Sequence, residues 1–234
     1  MAPLIAVKNL ACHRPEGDPI FVNVNFDVNE GDIVVLRARS GTGKTTLLKC
    51  IAHLNLYHGT VEFKGKPPKA YGVPTYRTYV QYIPQRPSLL PGTPRDLIET
   101  LSTFHSRFAP ERSSEGHDYL SSSMILAEQW GITKELWDRA WSLLSVGESQ
   151  RLSLAIAYGF NRAEVLMLDE PTSGLDPALS TLVENTLLHE IHNPDTALKA
   201  IIWITHSDEQ AERVGTRFLH LSPNGIEEKS RIEP

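Results

Sequence analysis

Short, wholly apolar runs punctuate this chain, and longer stretches of mixed polarity separate them. Residues 33–36, 165–168 and 201–204 carry no polar side chain. Such runs predict strands buried on both faces, as in a parallel sheet. Residues 20–28 instead alternate apolar with polar, the pattern of a half-exposed strand. Residues 4–10, 59–66 and 79–83 also read as strands, with Gly59 and Gly65 bounding the second. Together they predict an antiparallel β layer beside the buried strand 33–36. Pro67-Pro68 reads as a break. Helical stretches follow at 93–101, where Thr93 is a candidate N-cap and Pro94 takes the first position, and then at 124–130, 134–144, 150–159 and 175–191. The polar segment 106–123 reads as a loop, and 218–221 as a last short strand. The expected architecture is α/β: one domain, with an α/β core over 1–85 and 151–234 and a helical insert over 86–150.

The stretch from Asp32 to Lys49 carries the first chemistry. Its buried strand runs into Ala38-Arg39-Ser40-Gly41-Thr42-Gly43-Lys44-Thr45-Thr46, and Leu47-Leu48 then open a helix. Strand, glycine loop and helix N-terminus in that order form a phosphate-binding P-loop. Gly41 and Gly43 permit positive φ and a close approach of backbone N–H groups to phosphate oxygens. The helix dipole favours an anion at the same point. Lys44 would reach the β- and γ-phosphates, and Thr45 would ligate Mg²⁺.

Composition narrows the class. The chain has 234 residues, 41% hydrophobic and 22% charged, enough for one large domain with a sizeable core. A net charge of -5 argues against a nucleic-acid surface as the main partner. No apolar run approaches the length of a bilayer span, and residues 1–10 lack the layout of a secretory signal. Cys12 and Cys50 fit free thiols in a reducing compartment better than a disulfide framework. The expectation is a cytosolic chain, reaching any membrane only through a separate subunit.

Two further strand ends carry candidate groups. The run 165–168 ends in Asp169-Glu170, and 201–204 in Thr205-His206. Ligands of open α/β sheets bind beyond the carboxyl ends of the strands. Asp169 can therefore hold Mg²⁺ through water beside the P-loop, and Glu170 can polarise an attacking water. His206 can donate to a γ-phosphate.

Leu144-Ser145-Val146-Gly147-Glu148-Ser149-Gln150-Arg151 resembles the signature motif of ATP-binding-cassette (ABC) ATPases. The run 169–176 resembles that family's Walker B and D-loop, Gln85 its Q-loop, and His206 its switch histidine. The motifs stand in family order from Ala38 to His206. The resemblance implies a RecA-like P-loop NTPase core with an antiparallel β subdomain and an inserted α-helical subdomain. It implies two cassettes, most simply identical, paired head to tail around two ATP molecules. Ser145, Val146, Gly147, Glu148 and Asp176 would then serve the ATP held by the partner's P-loop. Glu170 would be the general base, with His206 and Gln85 also catalytic. Thr45, Gln85 and Asp169 would serve Mg²⁺. A separate transmembrane subunit would place the chain on the cytoplasmic face of a membrane.

The chain departs from the family pattern at three places. Ala38 replaces the first P-loop glycine, and Val146 replaces a signature glycine. The aromatic residue that usually stacks on adenine is missing, which leaves His13 or Arg14 for that contact. A soluble ABC ATPase outside transport and a non-hydrolysing nucleotide sensor are the alternative readings.

Overall fold

The structure is a computed structural model that describes residues 2–85, 91–108, 118–160, 162–193 and 195–229. Strands β1 (Ile5–His13), β2 (Pro19–Val28) and β4 (His58–Phe63) form an antiparallel sheet with β1 in the middle. A second sheet holds β3 (Ile33–Arg37), β5 (Val80–Ile83), β6 (Val165–Asp169), β7 (Ala200–Ile204), β8 (Arg217–Ser222) and β9 (Gly225–Lys229). Its spatial order is β5–β6–β7–β3–β8–β9. Every neighbouring pair in it is parallel except β8 and β9.

The apolar runs divide between two cores by alternate residues, as a sheet covered on both faces requires. Val34, Leu36, Val165, Met167, Ile202 and Ile204 face one core, which they share with the antiparallel sheet and with helix α1 (Lys44–Ile51). Ile33, Val35, Leu166, Leu168, Ile201 and Trp203 face the other. That second core is completed by α4 (Pro94–Phe108), α5 (Tyr119–Gln129), α6 (Val146–Gly159), α7 (Pro177–Ile191) and α8 (Asp208–Val214).

Several expectations change. The strand expected at 79–83 does not join the antiparallel layer; it lies at the edge of the parallel sheet, beside β6. Its four residues, Val80 buried and the other three half-buried, carry too little period to choose a sheet. Strand β9 lies in a polar stretch that no apolar pattern marks, and pairing with β8 holds it. Pro68 and Pro74 open two short helices, α2 (Pro68–Tyr71) and α3 (Val73–Tyr79), at positions where the missing N–H is tolerated. The helix expected at 134–144 is two 3₁₀ turns, Lys134–Asp138 and Trp141–Leu143. Leu136, Trp137 and Trp141 are all buried there. Of the loop expected at 106–123, residues 109–117 lie outside the described residues; α4 reaches 108 and α5 begins at 119. Helix α6 begins at 146 rather than 150 and runs unbroken past that position.

A buried polar cluster braces the helices behind β6 and β7. The Glu184 side chain on α7 is fully buried. It accepts from Arg213 Nε at 2.6 Å and Nη2 at 3.0 Å, and from Gln210 Nε2 at 2.6 Å. The same Gln210 nitrogen lies 2.7 Å from Thr172 Oγ1. Arg213→Met should strip the carboxylate of its charged donor and cost about 1.5–3 kcal/mol. Urea unfolding of the variant checks this, and an unchanged midpoint would count against the brace.

Candidate active site

The register of the parallel strands assembles the site. Leu36 pairs with Ile204, and Ile204 with Asp169, so β3, β7 and β6 end at one level. The P-loop leaves β3 there, Glu170 follows β6, and His206 lies just beyond β7. All three predicted strand-end groups therefore meet on one edge.

The P-loop residues occupy the turn into α1. Gly43 caps that helix with φ 101°, and Gly41 has φ 78°. Only glycine accepts such angles cheaply. Lys44 is buried, with 8% exposure, and its Nζ donates to the Ala38 carbonyl at 3.0 Å. Burial pulls its pKa below the usual lysine range, against the opposing influence of Glu170 and Asp169. Because the acceptor at 38 is a backbone carbonyl, alanine there serves as well as glycine.

Thr45 Oγ1 donates to Asp169 Oδ2 at 2.7 Å. The same carboxylate oxygen accepts from the Tyr82 hydroxyl at 3.0 Å. Tyr82 was not legible as a site residue; its place follows from the β5–β6 pairing. Burial, then the adjoining Asp169 carboxylate, push its pKa well above the usual phenol range. Tyr82 stays a neutral donor at physiological pH.

Glu170 holds φ +49°, a left-handed conformation rare for its type. Its N–H donates to the Ile204 carbonyl at 3.0 Å. Both carboxylate oxygens have partners: His206 Nε2 is 3.0 Å from Oε1, and Gln85 Nε2 donates to Oε2 at 2.7 Å. Glu170 thus touches both of the other groups named from the sequence as catalytic. Here Gln85 lies on Glu170, not on the Thr45–Asp169 pair expected to hold the metal.

The signature residues stand elsewhere. Ser145 caps α6 in a reciprocal box: Ser145 N–H donates to Glu148 Oε2 at 2.7 Å, and Glu148 N–H to Ser145 Oγ at 3.2 Å. Those bonds hold the Glu148 carboxyl below its usual range. Val146 is exposed, and Asp176 is spent on capping α7. Among the described residues, no hydrogen bond joins 145–148 to 38–46. His13 closes β1 rather than lying in the turn, and meets His58 edge to face at 5.6 Å. Arg14 starts that turn.

The two P-loop glycines make a contrast that can be tested. An added Cβ at Gly43 would lie 2.5 Å from Ile20 Cγ2, whereas one at Gly41 meets nothing within 4 Å. Strain of about 1–3 kcal/mol predicts roughly ten- to hundredfold weaker nucleotide binding for Gly43→Ala. Gly41→Ala should lose less. Titration with a fluorescent ATP analogue measures both, and equal losses would contradict the packing argument.

Comparison with known proteins places the chain. The ABC transporter family model matches residues 21–173. Phosphate import ATP-binding protein PstB 1 of Vibrio cholerae is 34% identical over 231 residues, covering 93% of this chain and 80% of that protein. PstB of Thermotoga maritima is 31% identical, covering 92% and 84%. An ATP-binding subunit of an ABC transporter superposes with a TM-score of 0.82 at 23% identity, covering 97% of this chain and 90% of that one. The ATP-binding cassette MJ0796, in a dimeric post-hydrolysis state with ADP and Pi, gives 0.81 at 22%, covering 98% and 100%. These two show a shared fold. With the family model spanning well over half of its residues, the chain belongs to the ABC transporter family.

Proposed function

We propose that this chain binds ATP at 38–46, pairs head to tail with a second copy, and drives a separate transmembrane subunit by closing on ATP and opening after hydrolysis. The observation that carries the reading is Glu170, held between Gln85 and His206 beside the Thr45–Asp169 pair.

The P-loop N–H groups and Lys44 receive the phosphates. Thr45 and Asp169 present oxygen donors 2.7 Å apart, a fit for a hard cation. Among the described residues no cluster of three or more His, Cys, Asp or Glu side chains forms a cage. Mg²⁺ would therefore depend on ATP oxygens as well, and when bound it neutralises developing charge on the phosphates. Glu170 takes a proton from water as the water oxygen attacks the γ-phosphorus and the bond to ADP breaks. For that, one Glu170 oxygen must first be freed of its present partner. His206 then faces the transferred phosphate. Ser145 and the backbone at Gly147, at the N-terminus of α6, suit the partner's γ-phosphate, with Val146, Glu148 and Asp176 beside them. His13 or Arg14 serves the base.

Within the proposed helical part, 86–150, α4 and α5 contact α6, which runs on into the proposed core of 1–85 and 151–234. A groove of about 310 Å³, lined by Leu54, Gln81, Leu97, Leu101, Ile156 and Phe160, suits an apolar helix of the transmembrane subunit. No helix among the described residues is long and apolar enough to cross a membrane, so the membrane contact is assigned to that subunit at its cytoplasmic face.

Glu170→Gln should lower turnover at least a hundredfold while retaining ATP, and light scattering should then record an ATP-dependent dimer. A variant that still turns over would remove Glu170 as the base. A variant that retains ATP yet stays monomeric would remove the pairing of two copies by ATP alone.

A further inference from the structure

One buried side chain joins three of the site's segments. Gln150 lies on α6, one turn beyond the Ser145 cap, and is 5% exposed. Its Nε2 donates to the Gln85 carbonyl at 2.9 Å and lies 3.3 Å from Ser173 Oγ. Its Oε1 accepts from the Gly174 N–H at 3.2 Å. The amide thus meets two backbone groups, at Gln85 and Gly174, and one side chain, and it uses both its donor and its acceptor.

The surrounding packing leaves no slack. A Cβ on Gly174 would lie 2.7 Å from Gln150 Oε1. A Cβ on Gly147 would lie 2.9 Å from the Gly174 carbonyl and 3.2 Å from Leu175 Cδ2. Both glycines permit the N-terminus of α6 to press on the loop that follows Glu170. The loop itself is fixed at Glu170, whose N–H is tied to β7.

We infer that Gln150 is a positioning residue for hydrolysis: it holds the Gln85 main chain so that the Gln85 amide reaches Glu170, and it locks the 173–174 backbone to the signature end of α6. A buried amide suits this task because backbone carbonyl and N–H must both be matched, and only a group with a donor and an acceptor does so. Leucine matches neither. Glutamate keeps the acceptor for Gly174 N–H, loses the donor to Gln85, and sets a carboxylate against a carbonyl. Gln150 does not touch residues 38–46, so ATP binding should survive its loss.

This inference rests on Glu170 as the base. The test compares Gln150→Leu and Gln150→Glu with the unchanged chain, and runs Glu170→Gln beside them. Turnover is expressed per nucleotide bound, which corrects for any misfolded fraction, and the thermal midpoint is recorded for each protein. Both Gln150 variants should lose at least tenfold in kcat, with KM for ATP within about twofold. Gln150→Glu should lose as much as Gln150→Leu whatever their midpoints, since both lack the donor to Gln85. Turnover per bound nucleotide within twofold of the unchanged chain in either variant would overturn the inference. So would a loss that follows the thermal midpoint. Normal turnover by Glu170→Gln would instead remove the base on which the inference stands.

Discussion

A slip of one residue in β6 against β7 would dismantle this site. Asp169 would move to the other face of the sheet, away from Thr45. The register is secure because β3, β6 and β7 are buried on both faces, each sending alternate side chains into two separate cores. Val165, Met167 and their neighbours on β7 cannot change faces without emptying one core and overfilling the other. The Thr45–Asp169 bond at the end of those strands is therefore a consequence of apolar packing well below it.

The same constraint sets the strain at Glu170. Asp169 must stay in register with Ile204, and the Glu170 N–H still reaches the Ile204 carbonyl. The chain then turns at once into the loop 171–176, and φ +49° at Glu170 is how it does so. A left-handed glutamate costs about 1–3 kcal/mol. Its carboxylate is thereby aimed between Gln85 and His206 rather than along the strand direction.

Two of the departures from the family pattern, Ala38 and Val146, have local explanations. Ala38 uses only its carbonyl toward Lys44, so the extra methyl group is tolerated. Val146 occupies the first turn of α6 with its side chain in solvent, while Gly147, whose Cβ would strike the Gly174 carbonyl, is retained. Glu148 contributes as a helix-capping carboxylate, a use for which the charge is favourable at a helix N-terminus.

The sequence by itself determined the α/β class, the buried strands, the P-loop and the groups at the ends of β6 and β7. Each is a local signal: an apolar run, a glycine turn, an acid or histidine one step past a strand. It could not show that β5 joins the parallel sheet, because its partner strand is distant in the chain, nor that β9 exists, because its residues carry no apolar pattern, nor that residues 134–144 make two 3₁₀ turns. Nor could it show Tyr82 on Asp169, or Glu170 shared between Gln85 and His206. Those contacts bridge residues 36 to 87 positions apart. Only tertiary packing, through strand register and the seating of α6 on the loop after Glu170, decides which of them meet.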